Sequence, residues 1–275
     1  ARHCPCLLGH VVHMSWMRPL GATGLQVSAL GLGTVKLGRD EGVKYPEGFT
    51  IPDDRAARSL LEKARGLGIN LIDTAPAYGN SEARLGQLMQ GQRKHWIICS
   101  KVGEDFEHGE SSFNFSPEHT RFSVQRSLQR LRTECIDLVL VHSDGNDLHI
   151  IEQLGTLQAL AELKSEGLIR AFGMSTKTVA GGQAAARESD VVMLTYNLAQ
   201  REEAAVLDTC QARGVGALIK KALASGHLAE EYADPVQASM DLVFAHPATS
   251  AAIVGTINPA HLAGNVAAVR RALTV

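Results

Sequence analysis

At 275 residues, 45% of them hydrophobic and 20% charged, the chain holds enough apolar material for one large α/β domain or two small ones. A net charge of -2 leaves no basic footprint for nucleic acid or for an anionic membrane surface. No apolar run approaches the roughly 20 residues of a membrane helix, and five scattered cysteines form no disulfide framework, which points to a reducing cytoplasm.

Residues 1–16 carry no regular period and read as an extension outside the fold. Within them Cys4-Pro-Cys6 lacks a second pair at metal spacing. Residues 18–27, with Gly21 and Thr23-Gly24, suit a turn-rich hairpin that closes the floor of a barrel. Short apolar runs then follow at 28–33, 69–73, 96–101, 136–142, 169–175, 191–196, 215–220 and 251–255. Cys99 lies within one of these runs and Cys135 borders another, as small core hydrophobes do.

Between the runs the spacing predicts helices. Residues 55–65 follow Pro52-Asp53-Asp54, and Ser116-Pro117-Glu118 opens a helix continuing to 131 with a cap, an N1 proline and an acidic first turn. Residues 152–163, 177–187, 202–212, 235–244 and 259–272 supply the others. Eight buried strands alternating with helices predict a (β/α)8 TIM barrel, an α/β fold, as a single domain over 17–275. A doubly wound open sheet is the weaker reading, because no Gly-x-Gly-x-x-Gly follows the first strand and no second domain remains. The long polar segments 38–50 and 104–115 follow strands, so both are expected to overhang the barrel mouth as substrate-shaping loops. Tyr45, Phe49, Phe106, Phe113 and Phe115 are candidates for the pocket walls.

The strand ends carry the chemistry. Three successive apolar runs close on ionisable residues, Asp73, Lys101 and His142, and Tyr78 stands on the loop after the first of them. A strand-end charge by itself usually turns to solvent, but barrel strands converge their C-terminal ends on one site. A tyrosine with pKa near 10 exchanges protons poorly at neutral pH. A nearby ammonium favours its phenolate, and a carboxylate keeps that ammonium charged in a buried place. An imidazole can hydrogen-bond a carbonyl oxygen and orient it. The set polarises a carbonyl and protonates its oxygen but has no electron source, so a cofactor must supply hydride. The histidines include no His-x-x-x-His helix pair, and no metal site is expected.

These residues resemble the aldo-keto reductase family, in a bacterial-type form, over nearly the whole chain from Met17. The family's opening is matched by Leu20-Gly21-x-Thr23-Gly24-Leu25-x-Val27-Ser28 with Gly31-Leu32-Gly33-Thr34. Its signature is matched by Gly68-Ile69-Asn70-x-x-Asp73-Thr74-Ala75-x-x-Tyr78-Gly79 and Ser81-Glu82-x-x-Leu85-Gly86. Further matches are Arg130-Leu131-x-Thr133-x-x-Ile136-Asp137-Leu138-x-x-x-His142, Lys164-x-x-Gly167-x-Ile169-Arg170-x-x-Gly173-x-Ser175, and Gly255-Thr256-x-Asn258-Pro259-x-His261-Leu262-x-x-Asn265. The resemblance places the Asp/Tyr/Lys/His tetrad on Asp73, Tyr78, Lys101 and His142. It implies reversible NAD(P)H-dependent reduction of an aldehyde or ketone, with Tyr78 as the general acid.

The loop Gly255-Thr256-Ile257-Asn258-Pro259 also suits a phosphate at a helix start. By resemblance this loop, with His261 and Asn265, receives the adenosine phosphate end. Leu223, Ser225 and Gly226 lie along the pyrophosphate, Ser175 beside the nicotinamide amide, and Gly33, Thr34 and Asp73 near the nicotinamide-side ribose. The chain departs from the family pattern at Thr176, where Asn is usual, and at Met193, where Gln is frequent. It also departs at Lys220-Lys221, where an aromatic ring often stacks on the nicotinamide. Only His261 among Gly255, Ile257 and His261 can carry charge toward a 2'-phosphate. NADP(H) is the favoured cofactor, NAD(H) the other, and Lys220 and Lys221 are expected to draw the pyrophosphate. The expected partner is a small carbonyl or alcohol, without nucleic acid or membrane, for a monomer or small homo-oligomer. Two other functions stay open: a lysine Schiff-base aldolase using Lys101 or Lys220, and a nicotinamide-binding sensor with little turnover.

Overall fold

The computed structural model of the chain describes residues 16–46, 48–227 and 232–274. Residues 1–15, including Cys4 and Cys6, lie outside the described residues. Trp16, assigned by sequence to the extension, belongs to the fold: its indole donates to Gly68 O at 2.8 Å and its carbonyl accepts from Ala29 N at 2.8 Å.

In chain order the strands are β1 (Met17–Pro19), β2 (Gln26–Ser28), β3 (Leu30–Gly33), β4 (Leu71–Asp73), β5 (Ile97–Val102), β6 (Glu104–Glu107), β7 (Glu110–Phe113), β8 (Ile136–His142), β9 (Ile169–Ser175), β10 (Val191–Thr195), β11 (Gly216–Lys220) and β12 (Thr249–Gly255). The helices are α1 (Asp54–Gly66), α2 (Ser81–Leu88), α3 (Pro117–Leu131), α4 (Asp147–Gln153), α5 (Thr156–Ser165), α6 (Val179–Glu188), α7 (Ala204–Arg213), α8 (Pro235–Ala245) and α9 (Pro259–Thr274). Strands β3, β4, β5, β8, β9, β10, β11 and β12 pair in parallel, in that order, and close into a barrel. The expected (β/α)8 barrel with an N-terminal hairpin is therefore the fold.

Period two sorts the side chains into two cores. Leu71, Cys99, Leu138, Leu140, Ala171, Met193, Leu218, Ala251 and Ile253 fill the barrel interior, and Leu20, Leu25 and Val27 of the β1–β2 hairpin join them as its floor. Their neighbours in sequence, among them Ile72, Ile98, Val139, Val141, Leu194 and Val254, form the second core with the helices. Helix α1 shows how the outer layer is made. Asp53 accepts from Ala56 N at 2.8 Å to cap it, and Ala57, Leu60, Leu61 and Ala64 bury one face at helical spacing. Ser116 and Pro117 start α3 as expected, with the Ser116 hydroxyl accepting from His119 N at 3.2 Å.

Two regions differ from the sequence expectation. The helix expected at 152–163 is two helices, α4 and α5, because Gly155 takes a left-handed conformation, φ +71°, and restarts the chain. The expected loop 104–115 contains a two-stranded hairpin, β6–β7, running from Glu104↔Phe113 to Glu107↔Glu110. Its two-residue turn is His108-Gly109, both at positive φ, 53° and 82°. That turn favours Asn or Asp before Gly, so His108 conceals the signal.

Candidate active site

The alternation that fills the barrel continues one step beyond its apolar layers. Asp73 follows Leu71 at the inward register, Lys101 follows Cys99, and His142 follows Leu140. Ser175, Thr195, Lys220 and Gly255 complete the ring on β9, β10, β11 and β12. The ladders hold these ends at neighbouring heights: Gly33 faces Asp73, His142 faces Ser175, Thr195 faces Lys220 and Gly255 faces Gly33. A polar layer thus caps an apolar interior at the C-terminal mouth, where a barrel assembles its site.

The front of this layer is a tight ion pair. Lys101 Nζ donates to Asp73 Oδ1 at 2.6 Å and to Thr74 O at 2.9 Å, and both side chains are almost wholly buried. Burial pulls the Lys101 pKa down, but Asp73 chiefly, with Tyr78, outweighs it and holds the ammonium charged, above its ordinary range. The ammonium lies 5.0 Å from the Tyr78 ring centroid, and the Tyr78 and His142 rings meet edge-on at 6.2 Å. The structure therefore brings Asp73, Tyr78, Lys101 and His142 together.

The expectation that Lys101 brings the Tyr78 pKa down needs amendment. Lys101 does pull it down, but burial pushes harder and Asp73 adds to burial, so the phenol stays above its ordinary value. Tyr78 keeps partial exposure at the mouth, so closure over a substrate would strengthen that push. A phenol held protonated can give a proton, and an ammonium at this distance can steady a phenolate.

Close backbone contact fixes the Tyr78 loop. A Cβ on Gly79, whose φ is +59°, would lie 2.1 Å from Gly38 O, and one on Gly38 would lie 2.3 Å from Tyr78 O. Arg39 Nη1 donates to Ala77 O at 3.0 Å, tying segment 38–50 to the same loop. Behind Asp73 runs a chain of hydroxyls. Thr34 Oγ1 donates to Asp73 O at 2.8 Å, Ser81 Oγ donates to Thr34 Oγ1 at 2.9 Å, and Ser81 Oγ lies 3.0 Å from Thr74 Oγ1.

Parity separates the residues expected at the cofactor. Gly33, Ser175 and Lys220 stand on the inward register, whereas Thr34 and Thr176 are one residue out of phase and fully buried. Thr34 gives its hydroxyl to Asp73 O, and a Cβ on Gly182 of α6 would lie 3.3 Å from Thr176 Oγ1. Lys220 Nζ donates to Ser175 Oγ at 2.9 Å and Thr176 O at 2.6 Å. Burial lowers its pKa to about 8, against the pull of Glu203.

Lys221, Ala224 and Ser225 all have positive φ, 55°, 48° and 57°, in the turn that also carries Leu223 and Gly226. Three non-glycine residues in that region mark a strained turn of the kind found at ligand sites. At the start of α9, Asn258 Oδ1 accepts from Ala260 N at 2.9 Å and His261 N at 3.3 Å, Thr256 Oγ1 accepts from Asn258 N at 3.1 Å, His261 is exposed and Asn265 is buried. Of the aromatic candidates, Tyr45 and Phe49 pack edge-on at 5.8 Å, and Phe113 stacks with the buried Phe115 at 6.1 Å. Phe106 lies beneath the Arg39 guanidinium.

The sequence reading missed Glu104. Its Oε2 lies 2.8 Å from His142 Nδ1, and burial, which alone would raise its pKa, is outweighed by His142, Ser111 and Arg39, which hold it at about 2. An acid two residues beyond the Lys101-Val102 strand end was its only sequence signal.

The sequence matches the profile of the Aldo/keto reductase family over residues 29–242. The chain belongs to that family. An aldo-keto reductase from Bacillus halodurans, in its holo form, superposes with a TM-score of 0.78 at 26% identity, covering 95% of each chain. A protein of Pseudomonas aeruginosa assigned to the aldo-keto reductases superposes with a TM-score of 0.87 at 58% identity, covering 95% of this chain and 97% of that one. Among curated family relatives, the NADH-specific methylglyoxal reductase of Escherichia coli is 32% identical over 226 residues, 76% of this chain and 68% of that one. An uncharacterised oxidoreductase of Bacillus subtilis is 30% identical over 229 residues, 81% of this chain and 70% of that one. As an aldo-keto reductase the chain is an oxidoreductase. Among the described residues, no helix is long and apolar enough to cross a membrane, and no cluster of three His, Cys, Asp or Glu could hold a metal ion.

Proposed function

We propose that this chain reduces a small aldehyde or ketone to an alcohol, reversibly, with a nicotinamide cofactor as reductant. The observation that carries the reading is the buried Lys101 ammonium, bonded to Asp73 and 5.0 Å from the Tyr78 ring. When bound, the reduced nicotinamide supplies the hydride. Tyr78 gives its proton to the carbonyl oxygen, Lys101 stabilises the phenolate, and Asp73 keeps Lys101 charged. Solvent then restores the Tyr78 proton.

The residues at the back of the mouth fit a dinucleotide by their chemistry. The Lys220 ammonium and Ser175 hydroxyl offer donors. Gly33 and Gly255 are register partners without side chains; a Cβ on Gly33 would lie 3.3 Å from Gly255 N, and one on Gly255 would lie 3.2 Å from the Tyr45 hydroxyl. Lys221, Leu223, Ser225 and Gly226 would follow the pyrophosphate, and Gly255, Thr256, Asn258, His261 and Asn265 the adenosine end. We favour NADP(H) because His261 and the two lysines offer cationic character; the E. coli relative, by its name, is NADH-specific. The cysteine usage supports a cytoplasmic setting.

The deciding experiment follows NADPH and NADH consumption across an aldehyde panel, beside Tyr78→Phe. The variant should lose at least about 100-fold in kcat; full turnover would remove Tyr78 as the proton donor. A second reading, imine chemistry at Lys220, is favoured by its lowered pKa of about 8 at the mouth. Borohydride with a carbonyl substrate would then trap the substrate as a secondary amine on the chain, its oxygen having left as water when the imine formed, and Lys220→Met would abolish the adduct.

A further inference from the structure

We propose that Glu104 is a positioning residue for His142: its carboxylate fixes the imidazole proton on Nδ1 and leaves Nε2 as a hydrogen-bond acceptor toward the mouth until the ring takes a second proton. This rests on the reading of the mouth as the site of carbonyl chemistry. It deepens that reading by assigning a residue outside the tetrad.

The contact decides the tautomer. Glu104 Oε2 stands 2.8 Å from His142 Nδ1, oblique to a well-aligned hydrogen bond. Two lone pairs at that separation repel, so Nδ1 carries the proton. The ring's other nitrogen then has a lone pair when the ring is neutral and an N–H when it is charged.

Glu104 is held for this task rather than placed there by chance. Its Oε1 accepts from Ser111 Oγ at 2.7 Å across the hairpin, and its backbone is paired with Phe113. The adjacent Asp105 is anchored to α3 by Arg126 and by His119 Nε2 at 3.1 Å. Arg39 stacks on Phe106 on the same strand and also donates to Ala77 O, so the hairpin and the Tyr78 loop share one clamp.

The charges around His142 give the proposal its sign. On β6 the Glu104 carboxylate favours the imidazolium. On β5 Lys101 and on β11 Lys220 oppose it, as does burial, the largest influence, and the net push is downward. Tyr78 on the β4 loop and Ser175 on β9 are uncharged neighbours. Removing the Glu104 charge leaves burial and two cations unopposed, so the His142 pKa falls further. Carbonyl reduction gains from an Nε2–H donor, so its rate should rise toward acid as His142 charges.

The test combines spectroscopy with a pH profile. In 15N-labelled protein without cofactor, with the His142 signal assigned by its loss in His142→Asn, wild type should show the Nδ1–H tautomer in the neutral ring. Glu104→Leu, which has no acceptor, should show mixed or Nε2–H tautomers. In carbonyl reduction, the acid limb of kcat/KM should move down by about one pH unit or more in Glu104→Gln and return toward wild type in Glu104→Asp. An Nε2–H tautomer in wild type, or an unchanged tautomer in Glu104→Leu, overturns the proposal, as does an equal loss of rate at every pH. If these variants do not fold, the wild-type tautomer decides alone. If no carbonyl is reduced by wild type, the proposed function fails while the tautomer still decides the role of Glu104.

Discussion

Two lysines stand in the same polar layer, and their surroundings give them opposite character. Lys101 touches a carboxylate at 2.6 Å and is held charged above its ordinary range. Lys220 touches a neutral hydroxyl and a carbonyl, and burial lowers it to about 8. Depth in a barrel mouth therefore does not set the state of an ammonium; the charge of the atom it touches does. The front of the mouth is internally neutralised and suited to steady a proton transfer. The back keeps a cation whose contacts are neutral, with Glu203 acting only at a distance, suited to receive an anionic or electron-rich ligand.

The largest way to break this contrast is to remove the carboxylate. Asp73→Asn leaves Lys101 buried without its counter-charge, and urea unfolding should show a loss of about 3–5 kcal/mol. Asp73→Leu with Lys101→Met should recover much of that stability without recovering turnover. Next in size is Gly79→Ala, which forces a Cβ to 2.1 Å from Gly38 O at φ +59°. It should cost about 2–4 kcal/mol from strain and overpacking together and should slow turnover by displacing Tyr78.

Lys220→Met sharpens the other side. Between about pH 8 and 10.5 the unfolded lysine binds more proton than the folded one, so wild-type stability should gain with rising pH through that window. The gain is at most about 1.4 kcal/mol per pH unit relative to Lys220→Met. Glu104 gives the acid counterpart: its folded pKa is lowered from 4.5 to about 2, so the stability it contributes is present above 4.5 and lost as pH falls through 2. Glu104→Gln should flatten that acid limb in a melting-temperature series. The smallest effect is expected from Thr34→Val, which removes the hydroxyl that donates to Asp73 O and accepts from Ser81 Oγ and should cost about 1–2 kcal/mol.

Much of the site was legible because apolar alternation is local. The runs 136–142 and 169–175 coincide with β8 and β9, so His142 and Ser175 were identifiable as strand ends. The same parity, applied strictly, would have turned Thr34 and Thr176 away from the mouth. Gly155 broke an expected helix through backbone freedom that a hydrophobic pattern does not register. Glu104 stayed hidden because its meaning depends on a hairpin whose turn, His108-Gly109, carries an unusual first residue.

The sequence by itself determined the barrel, the inward set of strand-end residues and the Asp73 to Tyr78 spacing, because period two and chain connectivity are properties of neighbours along the chain. Only the tertiary structure decided which charges touch. It set Lys101 against Asp73, Lys220 against Ser175 and Glu104 against His142, and each proton's position follows from those contacts, since electrostatic influence acts through space between strands distant in sequence.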